Sequence, residues 1–176
     1  MRTLVVLITL LSSWLYAAQL DVVEGRIITH TKVFGDSSIE PSTSVMTSYL
    51  SMGNTIESMN GHFTVSMRDM GSDKKKRDKD MHKKLESQTY PSAIYMFDSV
   101  NKYDQGYEIK GNLKLHGITK PLTLYTQIVE KEGQILMHGT ASLLMSDFGI
   151  EPPVMLLLFP VRDRVDIRFN VTLVKE

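Results

Sequence analysis

Tyr107-Glu108-Ile109-Lys110-Gly111-Asn112-Leu113-Lys114-Leu115 leads into His116-Gly117-Ile118-Thr119-Lys120-Pro121 and then Leu122-Thr123-Leu124. Tyr107, Ile109, Leu113 and Leu115 fall on one face, and Glu108, Lys110, Asn112 and Lys114 on the other. Side chains alternate across a strand, so the spacing predicts a strand with one apolar and one wet face. The pattern breaks at His116 to Pro121, as in a tight turn, and resumes at Leu122 and Leu124. It recurs along nearly the whole chain, with no equally convincing long helix. A sheet of that kind must cover its apolar face, either with a second sheet or by closing on itself.

Working outward, residues 25–34 read as a first strand and 45–52 as a poorly alternating second one. Phe63, Val65 and Met67 alternate with polar neighbours. Ala93, Tyr95 and Phe97 open another strand. Ile135, Met137, Ala141, Leu143 and Met145 form the next. The last is clean, with Val165, Ile167, Phe169, Val171 and Leu173 against Asp166, Arg168, Asn170 and Thr172. Asp73 to Leu85 alone reads as a short helix, with Met81 and Leu85 on one stripe and Ser72 or Asp73 as cap. The fold class is therefore all-β, about eight strands with a short helical insert. The short turns imply antiparallel neighbours. Eight strands can close into a barrel that is filled or holds one small ligand. Strands of about 8–10 residues run roughly 26–33 Å, enough to sheathe an extended lipid tail.

The chain has 176 residues, with 20 basic and 20 acidic side chains and no cysteine. A neutral chain of this length suits one domain and argues against a nucleic-acid partner. Without cysteine there is no disulfide, thiolate metal site or cysteine nucleophile. Arg2, the apolar run Leu4 to Leu11, and Ala17-Ala18-Gln19 read as a secretory signal over residues 1–18, too short for a comfortable membrane span. The mature domain is then 19–176, and a periplasmic location is expected. The alternative is an uncleaved anchor.

Three motifs occur in a fixed order. Lys76-Arg77-Asp78-Lys79-Asp80-Met81 precedes Tyr90-Pro91. Gly111 to Pro121 includes Leu-x-Leu-His-Gly-Ile-Thr-Lys-Pro. Ser146-Asp147-Phe148-Gly149-Ile150 follows, before the alternating final strand. In these runs the chain resembles the YceI-like family of polyisoprenoid-binding periplasmic proteins, from about Gly25 to the C-terminus. The resemblance implies a lipocalin-like antiparallel barrel with a long apolar tunnel for an isoprenoid chain such as a quinone tail. It implies no catalytic activity and no cofactor beyond that lipid. The chain departs from the family pattern at Asp80-Met81, where His-Leu is common, and at Met145, where Arg commonly precedes Ser-Asp-Phe-Gly.

On this reading the tunnel lining and mouth comprise Phe63, Val65, Met67, Arg77, Asp78, Tyr95, Phe97, Leu113, Met137, Phe148, Leu156 and Phe169. Methionine adapts to irregular apolar shapes, so Met46, Met67, Met96, Met137 and Met145 suit a flexible guest, or are ordinary core. Arg77 meets a head group, or Arg77 and Asp78 tie the insert to neighbouring turns. Lys74-Lys75-Lys76 is a solvated face, or a transient contact with anionic membrane. Val154 to Phe159, containing Leu156, is a doubly buried strand or an apolar lip. His116 fixes a turn by hydrogen bonding. No histidine has metal spacing, so no metal is expected. Two rival functions stay open. One is a stress-response binder of fatty acids or amides. The other is a lipocalin-like enzyme, for which Ser146, Asp147 and His116 make no convincing pair. Pairing of two copies through their sheets is also open.

Overall fold

A computed structural model describes residues 17–32, 38–152, 154–155 and 159–176. Eight long strands follow the predicted alternation: β1 (Ala18–Lys32), β2 (Met46–Met52), β3 (Asn60–Ser66), β4 (Ser92–Tyr103), β5 (Gly106–Leu115), β6 (Ile118–Lys131), β7 (Gln134–Leu144) and β8 (Arg164–Lys175). Each pairs antiparallel with the next, and β8 returns to β1 from Leu20↔Lys175 to His30↔Asp166. The sheet thus closes into an eight-stranded barrel, which leaves unpaired strand edges only where a ladder stops short.

Strict up-and-down order has one large consequence. The connections β1–β2, β3–β4, β5–β6 and β7–β8 must all emerge at the same end, here called upper. The helix α1 (Lys75–Lys84), the His116-Gly117 turn and the 3-10 turn Ser146–Phe148 are therefore neighbours in space, although far apart in sequence. So are the two-residue strands Ser38–Ile39 and Ser42–Thr43, which both pair with β1, and the short ribbon of Val154–Met155 with Phe159–Pro160. The lower end carries tight turns and both ends of the barrel chain.

The first strand begins at Ala18, not at residue 25. Alternation hides this because the register slips between Val22 and Glu24, leaving Val23 more than half exposed. A bulge shifts later side chains by one position, which a period-two reading scores as a break. The β1–β2 ladder ends at Leu20↔Leu50. Ser48 patches it: its buried hydroxyl donates to the Leu20 carbonyl at 2.7 Å and accepts from the Val22 amide at 3.1 Å. The helix also differs in detail. Its N-cap is Lys74 with no side-chain cap bond, rather than Ser72 or Asp73.

The inward side chains divide into two halves. At the lower end Leu20, Leu50, Ile109, Ile135 and Leu173 are 0% exposed. Such values leave no water-sized void beside them, so this half is solid core. At the upper end Ile27, Met46, Phe63, Val65, Ala93, Leu122, Leu143 and Ile167 also point inward, yet each is only partly buried. The interior is therefore closed and packed below and incompletely filled above. The five wholly buried residues exclude a continuous tunnel along the whole barrel in this conformation.

Candidate functional site

The upper end is tied together by the motif residues. His116, at φ +51°, donates from Nδ1 to the Phe148 carbonyl at 3.0 Å. Its ring meets Tyr90 edge-on at 4.7 Å between centroids, and its Nε2 lies 3.6 Å from the Glu86 carboxylate. Gly117 has φ +78°, and a Cβ there would stand 2.9 Å from the Tyr90 ring, so glycine is needed for both backbone and space. One histidine thus joins the β5–β6 turn, the β7–β8 turn and the segment after α1. The expectation that His116 fixes a turn holds, and its partner lies on a second turn 32 residues away.

Arg77 and Asp78 serve as ties within the insert. Asp78 accepts from the Ser72 amide at 2.9 Å and the Ser72 hydroxyl at 2.6 Å. Partial burial pushes its carboxyl up, but the two Ser72 hydrogen bonds and the nearby Arg77 and His82 charges outweigh this and hold it below the usual carboxylate range. Arg77 donates to the Ser72 hydroxyl at 3.2 Å and lies 3.6 Å from Asp73. Met81 of α1 and Leu85, its C-cap, pack against the barrel core, as their spacing predicts.

The predicted lining residues fall into three groups. Phe63, Tyr95 and Leu113 stand in one cross-strand row of β3, β4 and β5. Phe97 joins them, with ring centroids 5.8 Å from Phe63 and 5.5 Å from Tyr95. The Tyr95 hydroxyl lies 3.0 Å from the Ile109 and Leu122 carbonyls. Val65 lies above this row, half-buried, and Met67 is buried beyond the end of β3. Met137 and Phe169 belong to β7 and β8, and Phe148 plugs the 3-10 turn at 2% exposed. Leu156 lies outside the described residues. Among the methionines, Met96 points outward at 41% exposed, whereas Met67 and Met137 are core and Met46 and Met145 pack on it.

A cavity of about 810 Å³ is lined by none of these twelve residues. It lies where β6 and β7 part. Their ladder runs from Lys131↔Gln134 only as far as Tyr125↔Thr140. Above that point β6 pairs only with β5 and β7 only with β8. Pro121, Leu122 and Thr123 form one lip, and Ala141 and Ser142 the other. Leu122, Ala141 and Ile167 are inward positions, whereas Thr123, Ser142, Arg164, Asp166 and Arg168 are outward ones. Both faces of the wall thus meet in one opening. A proline inside β6 fits here, because a strand paired on one side only can lose a donor. Alternation could not reveal the gap, since it reports burial and not which neighbour is bonded.

Ser146 and His116 do not assemble into a nucleophile and base. The Ser146 hydroxyl donates to Asp163 at 2.5 Å, and His116 is committed to Phe148. Among the described residues no group of three His, Asp or Glu is placed to hold a metal. No described helix is long and apolar enough to cross a membrane.

The fold is similar to solved structures at low identity. A Burkholderia cenocepacia protein, BcnA, superposes with TM-score 0.74 at 14% identity, covering 84% of this chain and 95% of that one. A polyisoprenoid-binding domain from Saccharophagus degradans, implicated in plant cell wall breakdown, gives 0.65 at 12%, covering 90% and 99%. A Campylobacter jejuni YceI protein gives 0.54 at 12%, covering 100% and 93%. No protein with a curated description matches the chain. The YceI-like domain matches residues 19–173, nearly the whole barrel. With barrel, turn motifs and domain match in agreement, this chain belongs to the YceI-like family.

Proposed function

We propose that this chain is a non-enzymatic binding and carrier protein for isoprenoid lipids, quinone or polyprenyl, working in the periplasm after export. The observation that carries the reading is the contrast between the two halves of the barrel. A protein held only by its core has no reason to leave eight inward apolar side chains partly wet at one end. An apolar guest chain would cover them, and each buried methylene contributes about 0.8 kcal/mol before ordering costs are subtracted. Five methionines, Met52, Met59, Met67, Met70 and Met137, lie buried in the core. They supply a wall that can repack around a longer chain.

Native mass spectrometry of gently purified protein, with extraction of the bound lipid, tests this. A co-purified polyprenyl lipid is the expected result. A fatty acid would replace the isoprenoid reading with the stress-response alternative. Protein that stays empty when offered both prenyl lipids and fatty acids would overturn both.

Membrane contact belongs to the same proposal. Residues 73–84 hold seven basic and three acidic side chains, and they stand at the upper end. An anionic leaflet attracts such a segment by about 1 kcal/mol per lysine near the surface. Changing Lys74, Lys75 and Lys76 together to Glu is expected to slow lipid transfer to anionic vesicles about tenfold or more, and to leave transfer to neutral vesicles alone. Equal rates for both proteins on anionic vesicles would remove the membrane role.

A further inference from the structure

We propose that the gap between β6 and β7 is the portal through which a lipid chain passes into the barrel, and that a neutral head group stays at its rim. The inference rests on the carrier reading above and adds the route and the class of head group. Two independent features coincide at the gap. The ladder stops at Tyr125↔Thr140, and the 810 Å³ cavity begins there. The inward residue of the β7 lip that lines the cavity is the small Ala141; below it the Phe169 ring fills the space inward of Gly139, so the opening lies above that ring. The half-exposed Leu122 and Ile167 line the same opening, so its floor is part of the unfilled upper interior.

The upper end itself offers a poorer route. Met81 of α1 and its C-cap Leu85 pack onto the core, as do buried Phe148 and Ile150. The His116–Phe148 bond and the Ser42↔Gly71 bridge hold the turns to one another. Opening that end would break several contacts at once. The gap needs only side-chain motion, because no ladder bonds cross it.

The rim selects the head group. Its basic side chains already have acidic partners: Arg164 with Asp166 at 2.8 Å, and Arg168 and His30 with Glu40 at 3.4 and 2.8 Å. A phosphate would have to share these cations with two carboxylates and bear the repulsion of their charge. A quinone or alcohol needs only hydrogen bonds, which Thr123, Ser142 and these side chains supply.

The chain's lack of cysteine allows a direct test. Thr123→Cys with Ser142→Cys puts one thiol on each lip, to be bridged by a short bis-methanethiosulfonate and released by reductant. The probe is a fluorescent geranylgeranyl alcohol. Bridging is expected to slow both its uptake and its release about tenfold or more, with Kd unchanged within about twofold, since a portal changes the barrier and not the bound state. Reductant should restore the rates. The control bridge, Gln127→Cys with His138→Cys, lies where the ladder is intact and should change nothing. Should the lip pair fail to fold, Ser142→Trp plugs the gap and should slow the probe in the same way. Unchanged rates in the bridged protein, or equal slowing by the control bridge, would overturn the portal while leaving the carrier reading intact. Tighter binding of the matching prenyl phosphate would overturn the neutral rim. A wild-type protein that takes up no prenyl probe would sink the carrier reading, and the portal with it.

Discussion

Phe148→Ala is expected to lower the unfolding free energy by about 3–5 kcal/mol, read as a shift of the urea midpoint with the slope unchanged. The side chain is 2% exposed and belongs to the barrel's core cluster. Removing a buried ring costs its transfer energy and the cavity it leaves. Collapse around that cavity is restricted on two sides. Gly149 must keep its left-handed φ of +68°, and the Phe148 carbonyl must keep the His116 hydrogen bond. The loss should therefore fall toward the upper end of that span, and the β5–β6 turn should loosen with it. Hydrogen exchange at residues 116–118 should speed up in the variant. A cost below about 1 kcal/mol would mean that this turn lies on the barrel without being part of its cooperative core.

Gly111→Val is the second large effect, expected at about 3 kcal/mol or more. Gly111 is an inward position of β5, opposite Phe97. A Cβ there would stand 2.2 Å from the Met96 carbonyl oxygen and 2.8 Å from the Tyr95 hydroxyl. One obstacle is backbone, so a strand must move. The other is a buried phenol that crosses the glycine to reach the Ile109 and Leu122 carbonyls. Burial, helped by the Asp98 charge, pushes the Tyr95 phenol well above its ordinary value.

The sign of the pH effect follows. The folded form resists ionisation and the unfolded form does not. Tyr95 therefore contributes stability that is complete below about pH 10 and is lost as pH rises beyond it. In Gly111→Val the displaced hydroxyl should ionise nearer the ordinary phenol range, seen as an earlier tyrosinate absorbance step. Wild-type alkaline behaviour in a folded Gly111→Val protein would show that the strands can shift without dislodging Tyr95. The idea that glycine is there to seat this ring would then fail.

Much of this architecture was legible beforehand. The alternation in 107–124 and 165–173 assigns the inward faces of β5, β6 and β8 correctly, because a half-buried strand must keep period two. Met81 and Leu85 place α1 on the core for the equivalent reason at period 3.6. The row Phe63, Tyr95 and Leu113 was also within reach, since all three are inward aromatic or aliphatic positions on successive strands. The start of β1 was not, because its bulge breaks the periodicity. Met96 was misplaced among the interior candidates: it is one residue off the Tyr95–Phe97 face, and an apolar residue type by itself does not say which side of a strand it takes. Arg77 and Asp78 could be read as head-group or structural residues until their hydrogen bonds to Ser72 were seen.

The sequence by itself determined an antiparallel all-β chain of about eight strands with a short helical insert, and its motifs carried the resemblance to the YceI-like family and its barrel. The strands and the insert follow from local periodicity and turn chemistry, and the barrel from the resemblance; the up-and-down order that gathers the motif turns at one end belongs to the structure. Only the tertiary structure decided where the interior is solid and where the wall opens. Both depend on how strongly eight strands coil and how far each pair stays in hydrogen-bonding range. These are properties of the closed sheet as a whole, and no single strand's sequence encodes them.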